Sequence, residues 1–252
     1  MSSSVDLTKD IETLPVLGTT DLQLYQALVG TCLYLANSTR FDIAFAVNQL
    51  ARYMAKPNAT HLAAARRVLQ YLKATVDQGL TYQLPTEPWK KHQLYVFSDA
   101  QLGGDRLDRK SIHGHCMFFN SGTVHAVCKR LKHIVLSSTE AEYAGLALAA
   151  QDVMPYLVTL LGDMGFPQTL PVTIYEDNQP TIHIASNPVC GQLARHIDYR
   201  YHFIREKVLA KELVVVYCST ENMVADIFTK PLDKIKFRRF RDSLMGSSPP
   251  SV

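Results

Sequence analysis

Residues 93–100, Gln93-Leu-Tyr-Val-Phe-Ser-Asp-Ala100, open the part of the chain that decides the fold. Large apolar residues run up to Asp99, so the segment reads as a buried strand ending at a carboxylate. His115–Phe119 and Thr123–Cys128 follow as a hairpin around Asn120-Ser-Gly122. Thr139–Leu161 is a long helical run, Ala-rich at its start, which Pro155 is expected to break or kink. Val172–Tyr175 is a short strand between Pro171 and Asp177. Asn178–Ala185 is a short helix with Pro180 in its first turn. Tyr199–Ala210 is helical, Leu213–Tyr217 is a strand, and Asn222–Thr229 is a last short helix. The order βββαβααβα predicts a mixed α/β sheet.

Upstream of this unit, residues 22–78 carry a helical pattern. Ile43, Val47, Leu50 and Met54 form one apolar stripe, and Leu62, Ala65, Leu69 and Leu72 form another. Pro57-Asn58 separates them, with Thr60 as a candidate cap. Such stripes need a partner. The expectation is loose attachment to residues 93–240 or association with a second copy. Residues 79–92 hold Gly79, Pro85 and Pro88 and read as a linker. Residues 1–21 read as a flexible arm, and 233–252 as a basic, then Ser/Pro-rich tail.

The 252 residues are 47% hydrophobic and 19% charged, which excludes a disordered chain. Lys plus Arg number 26 and Asp plus Glu 23, a net charge of +3. Any basic surface must therefore be local. No run approaches about 18 apolar residues, so no membrane partner is expected. The start, Met1 to Asp10, lacks the apolar core of a secretion signal. A cytoplasmic location is expected, with a virus-like particle or the nucleus as alternatives. Five cysteines without a CxxC pair favour reduced thiols. His113, His115 and Cys116 raise a zinc site, but alternating strand positions are the plainer reading. His61, His92, His125 and His183 read as structural or exposed.

Four carboxylates occupy informative places: Asp99 at a strand end, Glu142 early in the long helix, Asp177 after a strand, and Asp226 in the final short helix. Strand ends and helix starts converge on one edge of an α/β sheet. Carboxylates gathered there repel one another unless cations lie between them. Hard oxygen ligands suit Mg²⁺ or Mn²⁺, and two such ions can clamp a phosphodiester. Surface ion pairs and helix caps remain the alternative at this point.

Longer motifs carry a resemblance. Ser98-Asp-Ala100, Leu136-Ser-Ser-Thr-Glu-Ala-Glu-Tyr143, Tyr175-Glu-Asp-Asn-Gln179, Asn187-Pro-Val189, the stretch from His196 to Glu206, and Ala225-Asp-Ile-Phe-Thr-Lys-Pro-Leu232 occur in this order. They resemble the ribonuclease H domain of copia-type retrotransposon Pol polyproteins. The helical segment is similar to the thumb and connection of the same family's reverse transcriptase. The resemblance implies a ribonuclease H-like mixed sheet flanked by helices, preceded by a small helical thumb/connection segment. It implies metal-dependent cleavage of the RNA strand of RNA–DNA hybrids, with two Mg²⁺ or Mn²⁺ ions. Carried over, the catalytic and metal-holding residues are Asp99, Glu142, Asp177 and Asp226. Glu140 faces about 200° from Glu142 on a helix and reads as a helix-start charge.

The chain departs from the family's pattern in places. Gln101-Leu102 replaces the usual Asp-Trp, Ala126 another Trp, Glu176 the usual Cys, and Gly145 an expected Ala. No Y-x-D-D, protease or integrase motif occurs. Implied partners are the hybrid, the remaining reverse transcriptase domains, or a second copy. Candidate nucleic-acid contacts are Lys110, Lys129, Ser137, Ser138, Asn178, Gln179, Arg195 and His196. Ser138 or Thr139 could instead cap the helix, and His196 could pair with Asp198. A non-catalytic nucleic-acid binding or assembly module, or a retrotransposon relic, is the alternative function.

Overall fold

The computed structural model describes residues 7–8, 14–84, 92–105, 107–187, 198–248 and 250. Among these, β1 (Leu94–Gln101), β2 (Ile112–Phe119), β3 (Gly122–Arg130), β4 (Val172–Glu176) and β5 (Leu213–Tyr217) form one sheet, ordered β3-β2-β1-β4-β5. β1–β2 and β2–β3 are antiparallel, and β1–β4 and β4–β5 are parallel. This is the mixed, helix-flanked sheet that the motifs implied. β1 runs two residues past Asp99, because Ala100 and Gln101 still pair with His113 and Ile112. Asn120 takes the left-handed conformation in the β2–β3 turn, which Asn tolerates better than most residues.

The period-2 alternation sends the two sides of each strand into different cores. Leu94 and Val96 of β1, Met117 of β2, Val172 and Ile174 of β4, and Leu213 and Val215 of β5 pack against one set of helices. These are α4 (Ser138–Asp152), α6 (Gln179–Ser186) and α7 (Asp198–Leu209). After α4 the chain widens into a π-helical segment, Val153–Val158, and closes as α5 (Thr159–Asp163). Pro155 lies inside that segment, where its missing N–H would break regular α-helical bonding. The run Ser138–Asp163 is long and apolar enough by length and composition to cross a membrane. Its residues Tyr143, Leu146, Ala147, Ala150 and Val153 are instead buried against the sheet.

The opposite side of the sheet, including Phe97, Cys116 and Phe118, is covered by the N-terminal helices. These are α1 (Thr19–Ser38), α2 (Ala44–Ala51, preceded by a 3₁₀ turn at Phe41–Ile43) and α3 (Ala59–Ala74). Tyr25, Val29, Ile43, Val47 and Leu50 share one apolar cluster with Phe97, Phe118 and Phe228. The stripe expected to be loosely attached or self-associating is thus packed on the sheet. Buried Asp105 adds a polar tie, pairing with Arg52 at the end of α2 and with Arg130 of β3 at 3.1 Å. Tyr82, in the segment read as a linker, donates its hydroxyl to the Thr123 carbonyl at 2.9 Å; residues 85–91 lie outside the described residues.

Three local expectations change. Asn58, not Thr60, caps α3: its side chain accepts from the His61 N–H, and His61 Nδ1 accepts from the Asn58 N–H. Both orphan donors are met within one reciprocal box. The last short helix, α8, is confined to Asp226–Thr229. The basic stretch read as tail forms α9 (Lys234–Leu244), started by Asp233, whose carboxylate accepts from the Ile235 and Lys236 N–H groups. Phe240 and Leu244 are buried there. Their i, i+4 spacing was hidden by the surrounding Lys and Arg residues.

Candidate active site

Parallel pairing of β1 with β4 aligns Phe97 with Tyr175, so Asp99 and Asp177 leave the sheet at the same edge. α8 crosses β2 and brings Asp226 to that edge. One carboxylate oxygen from each of Asp99, Asp177 and Asp226 lies within 4.8 Å of the other two. Glu142, Glu176 and Asp177 form a second such group with the same spacing. Asp177 belongs to both, and the four carboxylates named from the sequence therefore meet around it.

Glu142 reaches the site from the second turn of α4, and its Oε2 accepts the Ala100 N–H at 2.5 Å. Glu140 turns away and accepts the Leu136 N–H at 2.7 Å. Ser137 caps α4, accepting the Glu140 N–H; neither Ser138 nor Thr139 does so. Gly145, one turn on, faces Ala100 and His113, and a Cβ there would lie 3.4 Å from each of their Cβ atoms. The family's Ala is therefore close to sterically admissible.

The electrostatics are those of a crowded acidic cleft. Burial raises Asp99, the Lys230 ammonium opposes this, and Asp226 and Asp177 add to it, leaving Asp99 at about 6. Burial and the neighbouring Glu176, Asp99 and Asp177 push Glu142 up to about 11. Complete burial holds Glu176 well above the carboxylate range. Two ammonium groups supply countercharge. Lys230 Nζ is 2.7 Å from Asp226 Oδ1 and 3.6 Å from Asp99 Oδ1, and Lys236 Nζ is 3.0 Å from Asp226 Oδ2. The Thr229 hydroxyl donates to Asp99, and the Thr220 hydroxyl donates to Asp177 at 2.7 Å.

Even so, neither oxygen of Asp226 has an aligned hydrogen bond, and Glu176 Oε2 has no hydrogen-bond partner. Buried polar atoms are normally satisfied. An unpartnered buried Glu176 oxygen, and an Asp226 whose oxygens meet only ammonium groups, within two overlapping groups of hard anionic oxygens, fit divalent cations.

Sequence reasoning passed over Thr220 and Thr229, took Glu176 only as a departure from the family's Cys, and took Lys230 and Lys236 only as part of a basic tail that could meet phosphates or solvent. Glu176 carried a signal: it continues the alternation Val172, Ile174, Glu176, which is buried at every second position. Among the candidate nucleic-acid contacts, Ser137 and Asn178 cap α4 and α6. Ser138 and Gln179 are exposed at the starts of those helices. Lys110 lies 3.8 Å from Asp108. Lys129 stands opposite His113 in the β2–β3 ladder. Arg195 and His196 lie outside the described residues.

No family model matches the chain. A Retrovirus-related Pol polyprotein from transposon RE1 of Arabidopsis thaliana is 36% identical over 233 residues, 92% of this chain and 16% of that protein. A Retrovirus-related Pol polyprotein from transposon TNT 1-94 of Nicotiana tabacum is 33% identical over 84% of this chain and 16% of that protein. The chain thus spans about a sixth of these relatives' length. The solved LC11-RNase H1, isolated from compost, overlaps 55% of this chain and 93% of its own at 17% identity and a TM-score of 0.42. At that score the overlap adds nothing to the strand order.

Proposed function

Because the chain belongs to the family of copia-type retrotransposon Pol polyproteins, we propose that it is a metal-dependent ribonuclease H cutting the RNA strand of RNA–DNA hybrids. The observation that carries the reading is the meeting of Asp99, Glu142, Asp177 and Asp226, from four separate elements, with Asp177 common to two carboxylate groups. Asp99, Asp177 and Asp226 would hold one cation, and Glu142, Glu176 and Asp177 a second. Bound there, Mg²⁺ or Mn²⁺ supplies the positive charge that activates water and stabilises the leaving 3′-oxygen.

The chain's own residues do the rest. The Thr229 and Thr220 hydroxyls orient Asp99 and Asp177. Lys230 and Lys236 neutralise the cleft while it is empty of substrate and are positioned to meet phosphate oxygens once displaced. The N-termini of α4 and α6 place Ser137, Ser138, Asn178 and Gln179 beside Glu142 and Asp177 in sequence, where free helix N–H groups favour phosphates. Lys110, Lys129, Arg195 and His196 are further proposed contacts. The remaining reverse transcriptase domains are proposed partners.

The test is cleavage of a labelled RNA–DNA hybrid by the purified full chain in Mg²⁺, with Asp177→Asn as control. Mg²⁺-dependent cleavage that Asp177→Asn abolishes is expected. One observation favours a second reading: Lys230 and Lys236 already neutralise Asp226. Hybrid binding without cleavage by the wild type would support a non-catalytic binding module instead.

A further inference from the structure

A second cluster of ligating side chains lies on the α4 side of the sheet. His115 of β2 and His125 of β3 project from the same face, since His125 pairs with Met117, two residues from His115. Both meet Asp152, the last residue of α4. Asp152 is ten residues beyond Glu142, about 15 Å along the helix, so this cluster is separate from the carboxylate cleft. His115 Nε2 is 3.2 Å and His125 Nε2 4.0 Å from Asp152 Oδ2. The three ligating atoms all lie within 4.8 Å of one another. Tetrahedral zinc with bonds of about 2.0–2.1 Å spaces its ligand atoms about 3.4 Å apart. The triad is a slightly opened form of that geometry.

An ordinary His–Asp pair explains the cluster poorly. His115 is fully buried, yet neither of its ring nitrogens makes an aligned hydrogen bond. Groups so buried are normally partnered. Burial lowers both histidines, which keeps them in the neutral, ligating form. Asp152 stays ionised, held low by the adjacent His115 ring, then by His125 and Lys129. Lys129 is the one other charge acting on all three groups among the described residues, and it opposes a cation. The His125 and Asp152 side chains are 41% and 48% exposed, which leaves a path from solvent.

We propose that His115, His125 and Asp152 form a binding site for a borderline transition-metal dication, Zn²⁺ above all, that ties the β2–β3 hairpin to the C-terminal end of α4. Two imidazoles select Zn²⁺ over the hard cations suited to the acidic cleft. A fourth position is left for water.

The test titrates Zn²⁺ into the full chain in millimolar Mg²⁺, using competition with a chromophoric chelator and thermal melting. The wild type should take up one equivalent and melt at a higher temperature. His125→Gln and Asp152→Asn should each weaken uptake by at least about tenfold, the scale at which even outer-shell changes act. Asp177→Asn should leave uptake unchanged. His125 is partly exposed, so His125→Gln should melt like the wild type without Zn²⁺. Co²⁺ should give the visible bands of a tetrahedral imidazole site, and lose them in His125→Gln. Uptake that His125→Gln leaves unchanged, or that Asp177→Asn removes, overturns the site. So does a wild type that takes up no Zn²⁺ in competition with the chelator.

Discussion

Gly114 stands directly across the β1–β2 ladder from Asp99, and a Cβ placed on it would lie 2.4 Å from Phe228 Cβ. The glycine is required for space. Without a side chain there, α8 lies directly on β2, and the residues flanking Phe228 reach Asp99. Thr229 donates its hydroxyl to Asp99, and Asp226 joins the same carboxylate group. One missing methyl group thus allows two distant segments to build one cleft.

Gly114→Ala should push α8 off the sheet. Overpacking of this kind costs about 1–3 kcal/mol or more. Urea unfolding should show that loss, and hybrid cleavage should fall with it, because Asp226 and Thr229 move together. Wild-type stability in Gly114→Ala would contradict the close approach.

Divalent cations should stabilise the fold through linkage. At a concentration one hundred times the dissociation constant, the gain is about 2.7 kcal/mol. Melting curves in Mg²⁺ or Mn²⁺ should rise for the wild type and much less for Asp177→Asn, since Asp177 serves both carboxylate groups. Equal shifts in the two proteins would count against the cleft as a metal site.

Lys230 and an incoming cation compete for Asp99 and Asp226. Lys230→Met should therefore lower the melting temperature of metal-free protein, because buried carboxylates lose their countercharge. The same variant should bind Mg²⁺ more tightly than the wild type by calorimetry. Weaker Mg²⁺ binding would instead make Lys230 a support of the metal-binding geometry.

Asp99 supplies a pH dependence with a definite sign. Its folded pKa of about 6 lies above its ordinary 3.8. A raised carboxyl favours the fold while protonated, and that contribution is lost as pH climbs from near 4 through about 6. In chelator-treated buffer, Asp99→Asn should gain melting temperature relative to wild type as pH rises from 4 to 7. A difference independent of pH would remove Asp99 as a strained carboxylate.

Val47 is buried in the cluster that joins the N-terminal helices to Phe97, Phe118 and Phe228. Val47→Asp places an unpaired charge there and should destabilise the whole chain by several kcal/mol. Calorimetry of the wild type should show a single transition. Two separate transitions, with Val47→Asp lowering only one, would make residues 22–78 an independent unit.

Much of the site was legible before folding, because its residues sit in strongly patterned segments. Asp99 ends a run of β-strand residues, and Asp226 lies in the long motif Ala225–Leu232. Helical period set Glu140 and Glu142 on different faces, and the resembled family's motif singled out Glu142; in the fold Glu142 accepts the Ala100 N–H and Glu140 the Leu136 N–H. Ser137 was harder to identify as a cap, since three hydroxyl residues in a row all satisfy the preference. α9 was missed because Lys234, Lys236, Arg238, Arg239 and Arg241 dominate its composition, while only its tertiary neighbours reveal what Phe240 and Leu244 cover.

The succession of elements along the chain, apart from α9, and the identity of the four carboxylates follow from local pattern and from the motifs of the resembled family, which act over a few residues at a time. The tertiary structure decided what crosses long separations. It turned the stripe of Ile43, Val47 and Leu50 onto the sheet, where expectation left it loose. It added Glu176 to the cleft and set Lys230 and Lys236 against Asp226. It separated Cys116 from His113 and His115, and brought His115 to His125 and Asp152 instead. These outcomes depend on which faces meet, and a face acquires its partner only when the whole chain closes around its cores.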